Sequence, residues 1–158
     1  MGSFILEACS NAPRHTDSTR EQPLKEHTMT YPVKNISISI SKSAKEVYEF
    51  ASDPKNFPAW IDFIKSMTNQ GPFWIGKTDI GDIKIKFTPL NDFGILDHQV
   101  TFPNGATVDN PMRVVANNKG CELTFILFWM PDKTEEEFNE DAKAVTRDLQ
   151  NLKEILEH

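Results

Sequence analysis

The 158-residue chain carries 39% hydrophobic and 25% charged side chains, the proportions of one globular domain able to bury a core without staples. Its net charge of −6 at pH 7 argues against nucleic acid as a partner, because a phosphate backbone calls for clustered Lys and Arg. Two cysteines, Cys9 and Cys121, give neither a disulfide framework nor metal-ligand spacing, and fit a reducing cytoplasm.

The amino end, MGSFILEACS, has an apolar run far shorter than the roughly 7–15 residues of a secretory signal and no basic residues ahead of it. Gly2 is followed by Leu6 where a myristoylation signal prefers Ser or Thr. No later run approaches the 18–20 or so apolar residues that cross a bilayer. Ser10 to Thr30 is polar, contains Pro13 and Pro23 and has almost nothing to bury, so residues 1–30 are expected to be a flexible leader and residues 31–158 the folded domain. Met29 is an alternative start that leaves this division unchanged.

In NISISIS, Ile36, Ile38 and Ile40 alternate with serines, the mark of a half-buried strand. Ser43 followed by Glu46 forms a capping box, and Val47, Phe50 and Ala51 make the apolar stripe of a short helix ending before Pro54. NFPAWIDFI, Asn56 to Ile64, predicts a second short helix or helical turn rich in aromatics. Past Gly71-Pro72, the segments PFWIGKT, DIKIKFT, GILDHQVTF, ATVDNPMRVV and CELTFILFWM read as strands joined by short turns, an antiparallel meander. From Thr134 a long helix sets Phe138, Ala142, Val145, Leu149, Leu152 and Leu156 on one stripe, with Glu135, Glu136 and Glu137 in the first turn where the helix dipole favours them.

The segment ISISISKSAKEVYEFASDPKNFPAW resembles the opening strand and helix of the START-like, or SRPBCC, superfamily. Val47, Tyr48, Phe50, Ser52, Asp53, Pro54, Asn56, Pro58 and Trp60 carry the likeness. The later segment from Gly94 to Phe128 is similar to an uncharacterised, polyketide cyclase/dehydrase-like branch. The resemblance covers roughly Asn35 to His158. It implies an α+β helix-grip fold, in which a curved antiparallel sheet wraps a long carboxyl-terminal helix, two short helices follow the first strand, and a cavity for an apolar small molecule lies between sheet and helix.

If the last helix covers the concave face, period two turns Ile83, Ile85, Phe87, Leu96, His98, Val100, Phe102, Val108, Asn110, Met112, Val114, Leu123, Phe125 and Leu127 inward. His98 and Asn110 are the polar exceptions, and the Pro103-Asn104-Gly105 turn brings their strands together. Asp141 and Asp148 flank the helix stripe, seven residues apart, and either can point at the sheet. A mostly apolar lining with a few convergent polar groups is the usual make-up of a small-molecule pocket.

Three roles stay open for His98: a buried network with Asn110 and an aspartate, orientation of a ligand, or acid–base catalysis with Asp141 as partner. The aromatic residues Phe57, Trp60, Phe63, Phe73 and Trp74 are core beneath the short helices or else the pocket mouth. Trp129 and Met130 are a rim or a strand end. Lys84, Lys86 and Arg113 read as a solvated face, and Cys121 as an inert thiol.

The candidate ligand-binding set is therefore Trp60, Phe63, Trp74, Ile85, Phe87, Leu96, His98, Val100, Asn110, Met112, Phe125 and Val145. No glycine-rich phosphate loop, zinc spacing or nucleophile elbow occurs, so no cofactor or metal is expected. The first expectation is a cytoplasmic monomer or homodimer that binds a hydrophobic or aromatic small molecule without covalent chemistry. Alternatives are a cyclase/dehydratase-type enzyme moving a proton through His98, and an interaction module like the superfamily's co-chaperones.

Overall fold

A computed structural model describes residues 29–158. The leader expected over residues 1–30 lies outside the described residues as far as residue 28, as does Cys9. Eight strands and three α-helices follow one another as β1 (Val33–Ile40), α1 (Ala44–Ala51), α2 (Phe57–Trp60), β2 (Ser66–Gln70), β3 (Phe73–Thr78), β4 (Gly81–Phe87), β5 (His98–Thr101), β6 (Thr107–Asn110), β7 (Met112–Asn117), β8 (Gly120–Phe128) and α3 (Glu135–Glu157). All strand pairs are antiparallel, in the orders β1-β8-β7 and β2-β3-β4-β5-β6. The curved antiparallel sheet and long terminal helix make this a START-like helix-grip fold.

Both capping boxes form. Ser43 Oγ accepts the Glu46 N–H at 3.3 Å while Glu46 returns a carboxylate to the Ser43 N–H at 3.1 Å, and Thr134 and Glu137 repeat the exchange at 3.2 and 2.8 Å. The α3 stripe buries Phe138, Leu149 and Leu152. Trp129 stacks on Phe138 with centroids 5.3 Å apart, and its Nε1–H donates to the Lys133 carbonyl at 2.8 Å, which seats the strand end on the helix start. At the far end Lys153 donates to the Ser39 carbonyl at 2.7 Å and Glu157 accepts the Ser41 N–H at 2.6 Å, so α3 is tied to β1 at its last turn.

Two elements differ from expectation, an additional strand and a divided one. The SMTNQ segment forms β2 although it shows no apolar alternation; it is a mostly exposed edge strand whose ladder to β3 supplies what its side chains do not. NFPAWIDFI forms the helical turn expected of it, one turn at Phe57–Trp60 preceded by a 3-10 turn at Pro54–Asn56, and goes extended at Ile61. The single strand expected in ATVDNPMRVV splits into β6 and β7 at Pro111, which has no N–H to give a ladder.

At that break the chain of GILDHQVTF crosses over as well. Ile95 bridges to Arg113, while regular pairing begins only at His98. The Asp97 carboxylate accepts the Met112 N–H at 2.9 Å and forms an ion pair with Arg113, closing the corner between the two strand groups. Arg113 is thus held at this corner instead of standing free on a solvated face, whereas Lys84 and Lys86 are exposed as expected.

Gly94 sits at this corner with φ +70°, and a Cβ there would lie 2.2 Å from the Val114 carbonyl oxygen. Gly105 has φ +85° but open space around it. Alanine at Gly105 therefore costs only the left-handed strain, about 1 kcal/mol, whereas Gly94→Ala adds a backbone clash and loses about 3 kcal/mol or more. Urea unfolding of the two variants side by side measures the difference; equal losses would remove the corner's role.

Candidate functional site

Between the concave face and α3 lies a cavity of about 630 Å³. Its walls come from α2 (Phe57, Trp60), β4 (Ile83, Ile85), β5 (His98, Val100), β6 and β7 (Val108, Asn110, Met112), β8 (Phe125, Leu127) and α3 (Asp141, Ala144, Val145, Asp148, Leu149). Exposed Phe63, Ile80 and the Asn104–Ala106 turn frame its mouth. The period-two alternation of β4, β5 and β8 produces this wall, since every second residue there is buried.

His98 is the buried polar residue of the core, 9% exposed. It stands directly across from Asn110 in the β5–β6 ladder. Its Nδ1 lies 3.1 Å from the Leu96 carbonyl, and a carbonyl only accepts, so Nδ1 carries the proton. Burial holds the imidazole below the usual histidine range, against the opposing pull of the Leu96 carbonyl and Asp97, so the ring is neutral. Nε2 is then an acceptor, and Asn110 Nδ2, 3.3 Å away, donates to it. This fixes both the tautomer and the amide orientation. The ring is boxed by Phe57 and Phe87, with centroids at 5.9 and 5.6 Å.

Among the described residues no aspartate joins this pair, in contrast to the expected network of three. Asp97 turns to Arg113. Asp141 lines the cavity but is ion-paired with Lys133. Asp148 is different: one carboxylate oxygen accepts the Asp62 N–H at 3.2 Å, and its neighbour Arg147 reaches Asp62 instead, at 2.7 Å. Burial, aided by the Asp62 charge, pushes Asp148 up to about 6, although the Asp62 N–H and Arg147 pull the other way. The helical spacing of Asp148 marked it as a neighbour of the apolar stripe; only the fold shows that its cation goes elsewhere.

Nine members of the expected ligand-binding set line this cavity: Trp60, Phe63, Ile85, His98, Val100, Asn110, Met112, Phe125 and Val145. Trp74 and Phe87 do not. They share the inner face with Ile85, since Trp74 pairs with Ile85 and Phe87 lies two residues on, but Phe87 is packed against the Phe57 ring. That ring, on the cavity wall, meets Trp60 at 5.2 Å and Phe87 at 5.1 Å, edge to face. Trp74 and Phe87 line a wider open depression of about 1190 Å³ with Tyr48, Pro89 and the exposed Leu90 and Phe93. Leu96 lines neither space and is packed in the core.

The aromatic group is thus divided: Phe57 and Trp60 are core and cavity wall at once, Phe63 is rim, and Phe73 lies under the Lys84 ammonium at 4.9 Å. Met130 lines the cavity. Cys121 is buried, and burial with the neighbouring Glu122 charge raises its thiol, as suits an inert cysteine. Among the described residues no group of metal-ligating side chains gathers, and no helix is long and apolar enough to cross a membrane.

No protein-family model matches the chain, and no curated protein matches it in sequence. Solved structures do match it in shape. A START superfamily protein from Mycobacterium smegmatis superposes with a TM-score of 0.59 at 12% identity, covering 78% of this chain and 98% of that one. Ara h 8.0201 gives 0.57 at 12% identity, with 78% and 96% covered. An uncharacterised protein from Bacillus thuringiensis gives 0.65 at 15% identity, with 80% and 100% covered. The chain has the START-like fold that these structures share.

The two titrating groups of the cavity act on stability with opposite signs. His98 is lowered in the fold, so the unfolded chain binds more protons below about pH 6.5 and the His98 contribution is lost as pH falls. Asp148 is raised to about 6 from 3.8, so its contribution is present in acid and lost as pH rises through that window. Asp148→Asn keeps an acceptor for the Asp62 N–H. It is expected to stabilise the chain by about 1 kcal/mol at pH 8, allowing for solvent screening of a half-exposed group, and by nothing at pH 4. Urea unfolding across pH 4–8 reads this, and a gain that does not depend on pH would contradict it.

Proposed function

We propose that this chain binds a hydrophobic or aromatic small molecule in the cavity between the sheet and α3 and does not transform it. The observation that carries the reading is the cavity itself: about 630 Å³, walled mainly by apolar side chains, with a neutral, hydrogen-bonded His98–Asn110 pair at its wall. That size lies within the roughly 300–1,000 Å³ of small-molecule sites. Both nitrogens of His98 already have partners, which argues against a part in moving a proton and leaves Asn110 Oδ1 as the polar atom of the pair open to a ligand. Asp141, the other candidate for proton transfer, is neutralised by Lys133. The START superfamily likeness supports the same reading at the level of the fold.

The experiment is native mass spectrometry of the purified chain, followed by a thermal-shift screen with fatty acids, flavonoids, isoprenoids and aromatic polyketides. A ligand at a hundred times its dissociation constant stabilises the folded state by about 2.7 kcal/mol, a rise of several degrees. Val145→Trp, which fills the cavity from α3, is expected to abolish the shift, and Asn110→Ala to weaken binding about tenfold by leaving Nε2 without its donor. No shift from any class, with Val145→Trp as stable as the wild type, would point to the interaction-module reading, for which exposed Leu90, Phe93 and Val115 are the surface to test. Turnover of a bound ligand lost in His98→Ala would favour the enzyme.

A further inference from the structure

Given that the cavity binds a small molecule, we propose that the ligand carries a protonated amine on its apolar or aromatic body, and that Asp148 receives it. The argument is an inventory of the polar groups on the cavity wall. His98 is fully occupied by Leu96 and Asn110. Lys133, the ammonium of the lining, is taken by Asp141, and Arg147 beside the site is taken by Asp62. Trp60 Nε1–H is a buried donor with no partner, but its nitrogen is out of reach of solvent and so is not presented to the cavity.

What remains open is acceptor. Since Asn110 must turn its amide nitrogen to His98, its Oδ1 is left without a partner among the described residues. Asp148 Oδ1 takes the Asp62 N–H, and Oδ2 has no partner among the described residues. Three carboxylates, Asp132, Asp141 and Asp148, line the cavity against a single ammonium. A ligand carboxylate would meet like charge there, whereas an ammonium completes a carboxylate that no cation holds; of the two such lining carboxylates Asp132 is exposed to solvent, which leaves Asp148 as the partly buried one.

Burial is what raises Asp148, to about 6, so it is ionised at pH 7.5 and largely protonated at pH 5. The charged and titratable groups around it are Asp62 from the segment after α2, Arg147 and Asp141 on α3, Lys133 ahead of α3, and neutral His98 on the sheet side. Acid removes the Asp148 charge, and a proton on His98 would add a positive one; both oppose amine binding, so the comparison with Asp148→Asn at pH 7.5 isolates the carboxylate.

The test uses three probes of one body, 2-(2-naphthyl)ethylamine, 2-(2-naphthyl)ethanol and 2-naphthylacetate, titrated calorimetrically at pH 7.5 and pH 5. The expected order at pH 7.5 is amine tightest, about tenfold over the alcohol as befits a charge-assisted hydrogen bond, and carboxylate weakest. The amine-to-alcohol ratio is expected to fall toward one at pH 5, and in Asp148→Asn at pH 7.5. If the alcohol binds as tightly as the amine at pH 7.5, or the ratio survives both acid and the substitution, the amine proposal is overturned while the cavity reading stands. If none of the three binds and Val145→Trp changes nothing, the cavity reading fails and the proposal falls with it. Should Asp148→Asn not fold, Asp148→Ser at pH 7.5 takes its place in the comparison.

Discussion

The corner at Pro111 is the constraint on which the rest of the molecule depends. A ladder that loses one backbone donor must either leave a carbonyl unpaired or bend, and here it bends. Asp97 supplies the missing acceptor to Met112 and holds Arg113, and Gly94 lets the opposite strand approach to where no Cβ fits. The bend turns β7 and β8 toward β1 and leaves β5 and β6 with the other strands, so the apolar faces of both groups look at the same helix.

A sheet so curved cannot be filled by one helix. The α3 stripe closes against β1 and the short α2, burying Leu149 and Leu152, but midway along the concave face Val145 and Ala144 are too small to reach the floor formed by Ile85, Val100 and Phe125. The residual space is what gives the protein a candidate site. Its chemistry is set by a few polar groups in low-dielectric surroundings, where an imidazole stays neutral and a carboxyl without a cation resists ionisation.

Much of this was legible beforehand. The capping residues Ser43 and Thr134, the α3 stripe, and the inward alternation of β4, β5 and β8 are local signals, and local signals survive folding because burial and helix-end satisfaction act through neighbouring residues. The pairing of His98 with Asn110 followed from strand direction and a short turn. Polar β2 was invisible because its partner, not its composition, makes it a strand. Trp74 and Phe87 sat on the correct face yet line the outer depression, Phe87 being packed against Phe57 from an element distant in the chain.

The amino-acid sequence by itself determined most of the order of elements and the face each presents, since periodicity and capping act over a few residues, while the START-like architecture was legible only through the resemblance of the segment from Ile36 to Trp60. Tertiary structure alone decided which side chains share the enclosed space and which charges are spent on each other. Asp141 and Asp148 occupy equivalent places on one helical stripe, and nothing in their spacing tells them apart. Lys133 folds back onto the first and Arg147 turns from the second to Asp62, so the difference between a neutralised carboxylate and an available one is made by three-dimensional neighbours.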